Sequence, residues 1–328
     1  MKLPTKIVIT EDQAKERLDI FLSKELAISR SQAQKLIENE QVLLNKKLTT
    51  KASERLKTAD AISFAKNKAV QTSTESETNS LSHKANTALK NKEFIPQIIA
   101  DTPDYIVINK PTGMLSHPTM AKETNTVADF VTKKYPKIKK VGDDPIRPGI
   151  VHRLDKEASG LMVIAKTTKM FNSLKDQFKN RTIEKEYLAL AHGKVARDWG
   201  EINFPITRSE TSERMAAIPN SSLQNIPDAK EAKTEFLVEK KFVNFTLLRI
   251  KIYTGRMHQI RVHLLAYNHP IAGDPLYFQK KQKRNWDEKL GQLFLHSAKL
   301  GFTDLDSQKQ TFELPLPTDL SDFLKLLK

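Results

Sequence analysis

The apolar residues of the first 70 positions recur at helical spacing and then form a short run typical of a strand. A capping-box pattern at Ser29 and Gln32 separates two predicted helices. Their apolar residues are Leu18, Phe21, Leu22 and Leu26 in the first helix and Ala33, Leu36 and Ile37 in the second. An apolar strand at 42–44 follows and ends in a turn at 45–46. This order predicts a small α/β domain over residues 1–70.

The residues after position 93 alternate short apolar runs with longer amphipathic stretches. Strand-like runs lie at 106–109, 161–165, 186–191, 234–238 and 246–253, and helical patterns lie at 169–180 and 259–267. Many of the connections are too short to contain the crossover helix that parallel neighbours need. The pattern therefore predicts an α/β (α+β) domain over 94–328, built on a mixed, mainly antiparallel sheet.

Residues 71–93 separate these two parts and carry almost no large apolar side chains. Such a segment buries too little surface to offset the entropy lost on ordering, so we predict a flexible polar linker. All ten glycines lie at or after Gly113, which also marks the first part as a different kind of polypeptide.

Composition narrows the class of function. The formal net charge of +15 over 328 residues indicates a polyanionic partner. The alternative is an AT-rich genome, whose proteins are rich in lysine and would carry much of this charge without any RNA. The absence of cysteine excludes disulfides and thiolate chemistry. Without a membrane-length apolar run or a signal-peptide pattern, we expect a cytoplasmic protein that makes no membrane contact.

One segment carries the strongest chemical signal, R-P-G-I-V-H-R-L-D-K at 147–156 followed by an apolar run. It places Asp155 between Arg153 and Lys156 on a loop bounded by glycines. Neither a second nearby acid nor a His/Cys cluster is expected to complete a hydrolytic pair or a metal site. Asp155 is therefore interpreted as a nucleophile or charge stabiliser, with a structural Arg–Asp pair as the alternative.

This segment resembles the catalytic signature of the RluA-type pseudouridine synthases, H-R-L-D followed by a turn that ends in S-G. Three further segments resemble the same family in the same order. They are the strand at 105–113 ending in N-K-P before His117, the K-x-Y segment at 182–189, and T-G-R-M-H-Q-I-R-V-H at 254–263. The first part, with Arg17 among its cations, resembles the S4-type RNA-binding domain. The resemblance implies a pseudouridine synthase domain over 94–328.

The resemblance also implies the chemistry. Conversion of uridine to pseudouridine breaks the N1–C1′ bond and rejoins the base through C5, so we expect neither cofactor nor metal. Asp155 attacks sugar or base, or stabilises C1′ and takes a sugar proton, and the sequence leaves these routes open. The family pattern makes Arg261 the cation beside Asp155. It makes Tyr187 the residue that stacks on the base and assists removal of the C5 proton.

The remaining candidates concern RNA binding. Arg153 is expected to fill the space of a nucleotide flipped out of the helix. His152 and His258 are expected to hold loops, to contact phosphate or to take part in the chemistry, with His152 pointing away from Asp155. In the first domain, the residues expected to dock RNA are Arg30, Lys35, Lys46 and Lys47.

The substrate inferred from the resemblance is large-subunit (23S) ribosomal RNA, on the segments at 147–156 and 273–277. Transfer RNA is the alternative substrate, and a non-catalytic RNA-binding protein of the same fold is an alternative function. A glycosidase acting on a small substrate would need a second carboxylate at the site. We expect a monomer and infer no protein partner.

Overall fold

The structure is a computed structural model. It describes residues 7–11, 13–14, 16–26, 33–34, 36–37, 42–45, 47–49, 53–64, 95–119, 123–209, 214–218, 229–279 and 285–328. The predicted linker at 71–93 and the predicted helix cap at Ser29 and Gln32 lie outside these residues. The chain divides into two compact units, Met1–Asn86 and Thr87–Lys328. The finer boundaries expected from the sequence stay predictions.

The first unit packs helical residues against a small antiparallel sheet. Its described elements are β1 (Ile7–Val8), α1 (Leu18–Glu25), β2 (Val42–Leu44), β3 (Lys47–Leu48) and β4 (Ala61–Phe64). The strands lie in the order β1-β4-β2-β3. Ala33 and Ile37 are helical and buried, and they join Leu18, Leu22 and Val42 in one apolar core, as the helical spacing predicts.

A partly buried ion pair fixes the start of α1. The Asp19 side chain is fully buried, and it accepts hydrogen bonds from Arg17 Nε and Nη2 at 3.0 Å each. Gln34 Nε2 donates to the same carboxylate at 2.9 Å. A buried carboxylate is costly unless it is paired and hydrogen-bonded, so these contacts tie the second helical segment to the first.

The second unit is built on a nine-stranded sheet and a separate hairpin within the described residues. The strands are β5 (Gln97–Asp101), β6 (Tyr105–Lys110), β7 (Ser159–Ala165), β8 (Glu184–His192), β9 (Trp199–Ile202), β10 (Ile206–Arg208), β11 (Met215–Ala217), β12 (Thr234–Lys241), β13 (Phe245–Ile252), β14 (Leu295–Thr303) and β15 (Lys309–Glu313). The sheet runs β5-β6-β7-β14-β8-β13-β12-β9, with β15 beside β14. Only the described pair β7–β14 is parallel, which confirms a mixed, mainly antiparallel sheet.

Helices cover this sheet. They are α2 (Val127–Lys134), a 3₁₀ turn (Pro136–Lys140), α3 (Thr168–Lys179), α4 (Gln259–Ala266), α5 (Asn285–Leu290) and α6 (Thr318–Lys325). α2 begins at a capping box in which Thr126 and Asp129 exchange hydrogen bonds. No helix among the described residues is long and apolar enough to cross a membrane.

Strand β7 is the most completely buried of the described strands in the second unit. All seven of its residues are buried, because Met162 and Ile164 face one apolar cluster while Leu161 and Val163 face another. Gly160, with φ +113°, lets β7 approach β14 closely, since a Cβ there would lie 2.3 Å from Ser297 O. The loop that carries Asp155 leads directly into this rigid strand.

Two fully buried histidines, His263 and His296, make stability sensitive to acid. Burial lowers the pKa of each from 6.5 to about 4. The unfolded chain therefore binds up to two more protons than the folded chain between these values, and stability is lost as the pH falls below 6.5. We expect the free energy of unfolding to fall by up to about 2.7 kcal/mol per pH unit from these two groups.

Urea unfolding between pH 6.5 and 5 measures this slope. His263→Gln removes one titrating ring while keeping groups that can bond Thr234 and Phe204, the present partners at 2.9 and 2.8 Å. The variant should show a slope that is smaller by up to about 1.4 kcal/mol per pH unit, the share of one histidine. A stability that does not change across this range would contradict the prediction.

Candidate active site

A cleft of about 480 Å³ opens in the second unit beside Asp155. Its walls come from the loop at 150–155, β8 and the segment at 252–260. It brings together five of the predicted residues, Asp155, Tyr187, Arg153, His152 and His258. Arg261 lies beneath the wall with a fully buried side chain. In the first unit Lys47 is exposed in β3, whereas Arg30, Lys35 and Lys46 lie outside the described residues.

The loop that carries Asp155 is held by the segment that follows the N-K-P motif. Ser116 Oγ donates to Leu154 O at 3.0 Å, and Leu154 N donates back to Ser116 Oγ at 3.1 Å. Gly113 N bonds to Lys156 O at 2.7 Å. Two motifs that are distant in sequence therefore fix each other, which pre-organises Asp155.

Lys110 supports the same loop from inside the protein. Its side chain is fully buried, and Nζ lies 2.9, 2.8 and 3.3 Å from the carbonyl oxygens of Pro111, Met114 and Lys156. Burial lowers the pKa of Lys110 to about 7, while the charges of Asp155 and Glu157 act in the opposite direction. The sequence analysis included Lys110 only within the N-K-P motif and did not name it as a site residue. The signal that could have identified it is a lysine at the end of a buried strand.

Arg261 is the cation beside Asp155, as the resemblance implies. Its Nη1 lies 3.4 Å from Asp155 Oδ2. Nε and Nη2 each donate to Asp274 at 2.8 Å, so Asp274 fixes the orientation of the guanidinium. Burial lowers the pKa of Arg261, but the hydrogen bonds and charge of Asp274 outweigh burial and raise it. Full burial rules out a surface charge on the helix face.

The expectation that no second acid lies near Asp155 is wrong. Glu157 Oε2 lies 3.1 Å from Arg261 Nη1, closer than the Asp155 oxygen. A turn closed by the bond from Ala158 N to Asp155 O, 3.2 Å long, brings Glu157 back towards the guanidinium. Asp274 was also missed as a site residue, because its pairing with Arg261 depends on the fold.

Tyr187 lies in β8 with only 6% of its surface exposed. Burial raises the pKa of Tyr187 above its usual value of 10, and the charge of Asp155 adds to this effect, while a hydrogen bond with Ser297 opposes it. The phenol therefore stays protonated at neutral pH. It can stack and hydrogen-bond, but it is a poor base on its own.

His152 and His258 are both held by the protein. His152 Nε2 accepts a hydrogen bond from Val163 N at 3.1 Å, and its ring stacks on Phe178 at 4.8 Å. Burial, helped by Lys185, lowers the pKa of His152 to about 3. His258 Nδ1 lies 2.8 Å from the Tyr277 hydroxyl, and burial lowers its pKa as well. The hydrogen bonds of both rings to the protein favour the predicted role of holding loops.

The cleft is electropositive. Arg153 is exposed, and it forms no ion pair or hydrogen bond with another described residue. The other cations that line the cleft are Arg147, Lys179, Arg181, Lys185 and Arg256. Asp155 is the one acid among the described lining residues. An excess of cations around one carboxylate favours a phosphate-bearing ligand. These cations come from separate elements, so the sequence alone does not group them.

Comparisons with known proteins agree with this geometry. Residues 104–266 match the family described as RNA pseudouridylate synthase, and residues 16–62 match the S4 domain. The chain is 33% identical to an uncharacterized RNA pseudouridine synthase, YlyB, of Bacillus subtilis, over 98% of this chain and 97% of that protein. It is 36% identical to ribosomal large subunit pseudouridine synthase D of Nitrosomonas europaea, over 72% and 67% of the two chains.

Solved structures share the fold. Human RNA pseudouridylate synthase domain containing 1 superposes with a TM-score of 0.57 at 23% identity, covering 71% of this chain and 89% of that one. Human RNA pseudouridylate synthase domain containing 4 gives a TM-score of 0.57 at 24% identity, covering 76% and 99%.

Proposed function

This chain belongs to the RNA pseudouridine synthase family and isomerises uridine to pseudouridine in RNA; we propose that its substrate is large-subunit ribosomal RNA and that Asp155 is the reacting carboxylate. The observation that carries the second proposal is the position of Asp155. It is the single acid among the described lining residues of a basic cleft, and a locked, buried guanidinium contacts it.

The reaction rearranges one nucleotide and needs no second reactant. The N1–C1′ bond breaks, the uracil turns within the cleft and a C5–C1′ bond forms. C5 loses its proton and N1 gains one, either the same proton or one from solvent. Since C1′ is out of reach in a stacked helix, the uridine must flip into the cleft. Attack by Asp155 on C1′ or on the base, and removal of a sugar proton, remain open routes.

Arg261 is proposed to orient Asp155 and to offset its negative charge. The side chain of Asp155 is only 15% exposed, so a cation close to it supplies interactions that water gives to an exposed carboxylate. Asp274 holds two nitrogens of the fork, so Arg261 Nη1 stays directed at Asp155 and Glu157. Asp274 thus acts through Arg261 as a positioning residue.

Tyr187 is proposed to stack on the target base. Because its phenol stays protonated, it can accept the C5 proton only while passing its own proton onward. Tyr187 lines the cleft, so the proton that it gives up can pass to water in the cleft. A concerted transfer of this kind keeps the predicted role in proton removal without a stable phenolate.

RNA recognition is divided between cations of the two units. Arg153 is proposed to fill the gap left by the flipped uridine, since it is exposed at the cleft and has no ion pair among the described residues. In the first unit we assign RNA docking to Arg30, Lys35, Lys46 and Lys47. His152 and His258 contribute by holding the cleft walls.

The ribosomal substrate rests on relatives named ribosomal large subunit pseudouridine synthase D. Besides the Nitrosomonas protein, that of Blochmanniella floridana is 30% identical over 98% of both chains. The same substrate implies a cytoplasmic enzyme, and we propose that it acts as a monomer. Transfer RNA remains the alternative substrate.

Mapping of pseudouridines by carbodiimide primer extension in a deletion strain tests this proposal. We expect the loss of one or more pseudouridines in large-subunit ribosomal RNA, restored by the wild-type gene and not by Asp155→Asn. A loss of pseudouridines only in transfer RNA would identify transfer RNA as the substrate instead. A strain with no lost site would favour a non-catalytic RNA-binding protein.

Truncation tests the role of the first unit. A chain beginning at Phe94 keeps every proposed catalytic residue, so it should isomerise uridine when RNA is in excess. It should bind RNA more weakly and with a smaller dependence on salt, because a tethered second site is lost and fewer phosphates are neutralised. Filter binding at several salt concentrations measures both. Equal affinity and salt slope for the two proteins would reject RNA docking by this unit.

A further inference from the structure

A dense group of lysines lies at the end of α2 and along the 3₁₀ turn. The group, named here the lysine turn, consists of Lys133, Lys134, Lys137, Lys139 and Lys140. All five are exposed, and none forms an ion pair with a described residue. Between 133 and 147 the sequence has six cations and two acids, a formal net charge of +4.

Three acids lie near the lysine turn, and each is already paired with another cation. Asp101, whose charge also interacts with Lys134, contacts Lys166 Nζ at 2.8 Å. Asp143 contacts Lys175 Nζ at 2.5 Å, and Asp144 contacts Arg147 Nε at 3.1 Å. They therefore do little to neutralise the lysine turn. Five like charges on eight residues repel one another, and a polyanion is the ligand that relieves this repulsion.

The backbone of the lysine turn is held in place by core packing and a hydrogen bond. Two residues anchor this segment in the core. Val131 is buried just before Lys133, and Ile138 is buried between Lys137 and Lys139. The Tyr135 hydroxyl donates to Asp101 Oδ2 at 2.5 Å. The exposed lysines thus extend from a fixed backbone, so binding orders only their side chains.

The lysine turn is connected to the cleft that contains Asp155. Val141 O, directly after the turn, accepts a hydrogen bond from Gly149 N at 2.7 Å, six residues before Asp155. A second cavity of about 120 Å³ shares Arg147, Ile150 and Val151 with the cleft and reaches Asp143. The linings of the two cavities therefore join, and that of the second includes Asp143, which follows Lys140 by three residues in the sequence.

We propose that the lysine turn is a second phosphate-binding site that holds the RNA backbone flanking the flipped uridine. The inference rests on the proposed function, since it assigns this surface to the same RNA. Lysine ammonium groups contact phosphate as point charges and read no bases. The site therefore supplies affinity that is independent of sequence and sensitive to salt.

The test uses the full chain with all five lysines of the lysine turn changed to Gln, and a transcript containing the uridine found by mapping. If the variant loses at least three phosphate contacts, the slope of log K against log salt should decrease in magnitude by about 2 to 3. At 150 mM salt the affinity should fall at least about tenfold.

A matched control removes five cations from exposed positions that line neither cavity. These are Lys194, Arg197, Lys240, Lys289 and Lys328, each changed to Gln. The control loses the same charge, and its salt slope should change by less than about 1. A second variant with the five lysines of the turn changed to Arg should retain affinity and slope, and equal melting temperatures exclude misfolding.

Equal losses in the Gln variant and in the control would mean that only net charge matters, and would overturn the proposal. Unchanged RNA binding by the Gln variant would also overturn it and would leave an acidic protein or an anionic membrane as the partner. Pseudouridine formation by the wild-type chain on the same transcript is scored separately. A chain that binds through the lysine turn but forms no pseudouridine contradicts the proposed function and not this site.

Discussion

Asp155→Asn is expected to lower pseudouridine formation by at least about 10⁴-fold, or about 5 kcal/mol in transition-state stabilisation. The change removes the negative charge and the nucleophile but keeps the volume of the side chain. Arg261 and Asp274 stay paired, so the fold should be retained. The basic residues of the cleft are untouched, so RNA affinity should stay within about threefold.

Single-turnover assays on the mapped transcript measure this loss. Glu157→Gln is the matched control, because Glu157 contacts the same Arg261 nitrogen at 3.1 Å and undergoes the same chemical change. We expect the control to keep measurable turnover. Turnover by Asp155→Asn together with an inactive Glu157→Gln would identify Glu157 as the reacting acid instead.

The parts of the site that the sequence predicts are those encoded in continuous segments. Asp155 stands out because its loop lies between glycines and precedes the apolar run of β7, and the structure places it in a cleft. Tyr187 and Arg261 come from the family pattern, and both lie beside Asp155. Local periodicity likewise places α3 and α4, with ends that differ from the predictions by a residue at most.

The parts that the sequence does not predict depend on the three-dimensional arrangement. Asp274 and Arg261 pair across a sequence separation of 13 residues, and Lys110 contacts Lys156 O across a separation of 46 residues. No periodicity encodes such pairs, because each depends on how separate elements pack. The parallel pairing of β7 with β14 is of the same kind, since nothing in either run selects its neighbour.

Glu157 is a different case, because its signal was present in the sequence. It lies two residues after Asp155, and its acid type was visible. What the sequence lacked was the turn at 155–158 that directs both carboxylates at one guanidinium. A pair of acids sharing one cation differs from a hydrolytic pair, since Arg261 contacts both carboxylates and offsets their charges.

Arg261→Met is expected to reduce both stability and activity. Asp274 is fully buried and would lose two hydrogen bonds of 2.8 Å, so the free energy of unfolding should fall by about 3 to 5 kcal/mol. Activity should fall at least about 10³-fold, because Asp155 loses its neighbouring cation and the fixed donor that orients it. Urea unfolding and single-turnover assays measure the two losses separately.

The double variant Arg261→Met, Asp274→Asn separates the two effects. Asparagine carries no charge and can still accept hydrogen bonds from Leu276 N and Tyr277 N, which now donate to Asp274 at 2.8 and 3.0 Å. Stability should therefore recover in part, since no unpaired charge stays buried. Activity should not recover, because the cation beside Asp155 is still missing. Recovery of turnover along with stability would show that Arg261 only supports the fold, since the reaction would then proceed without its charge.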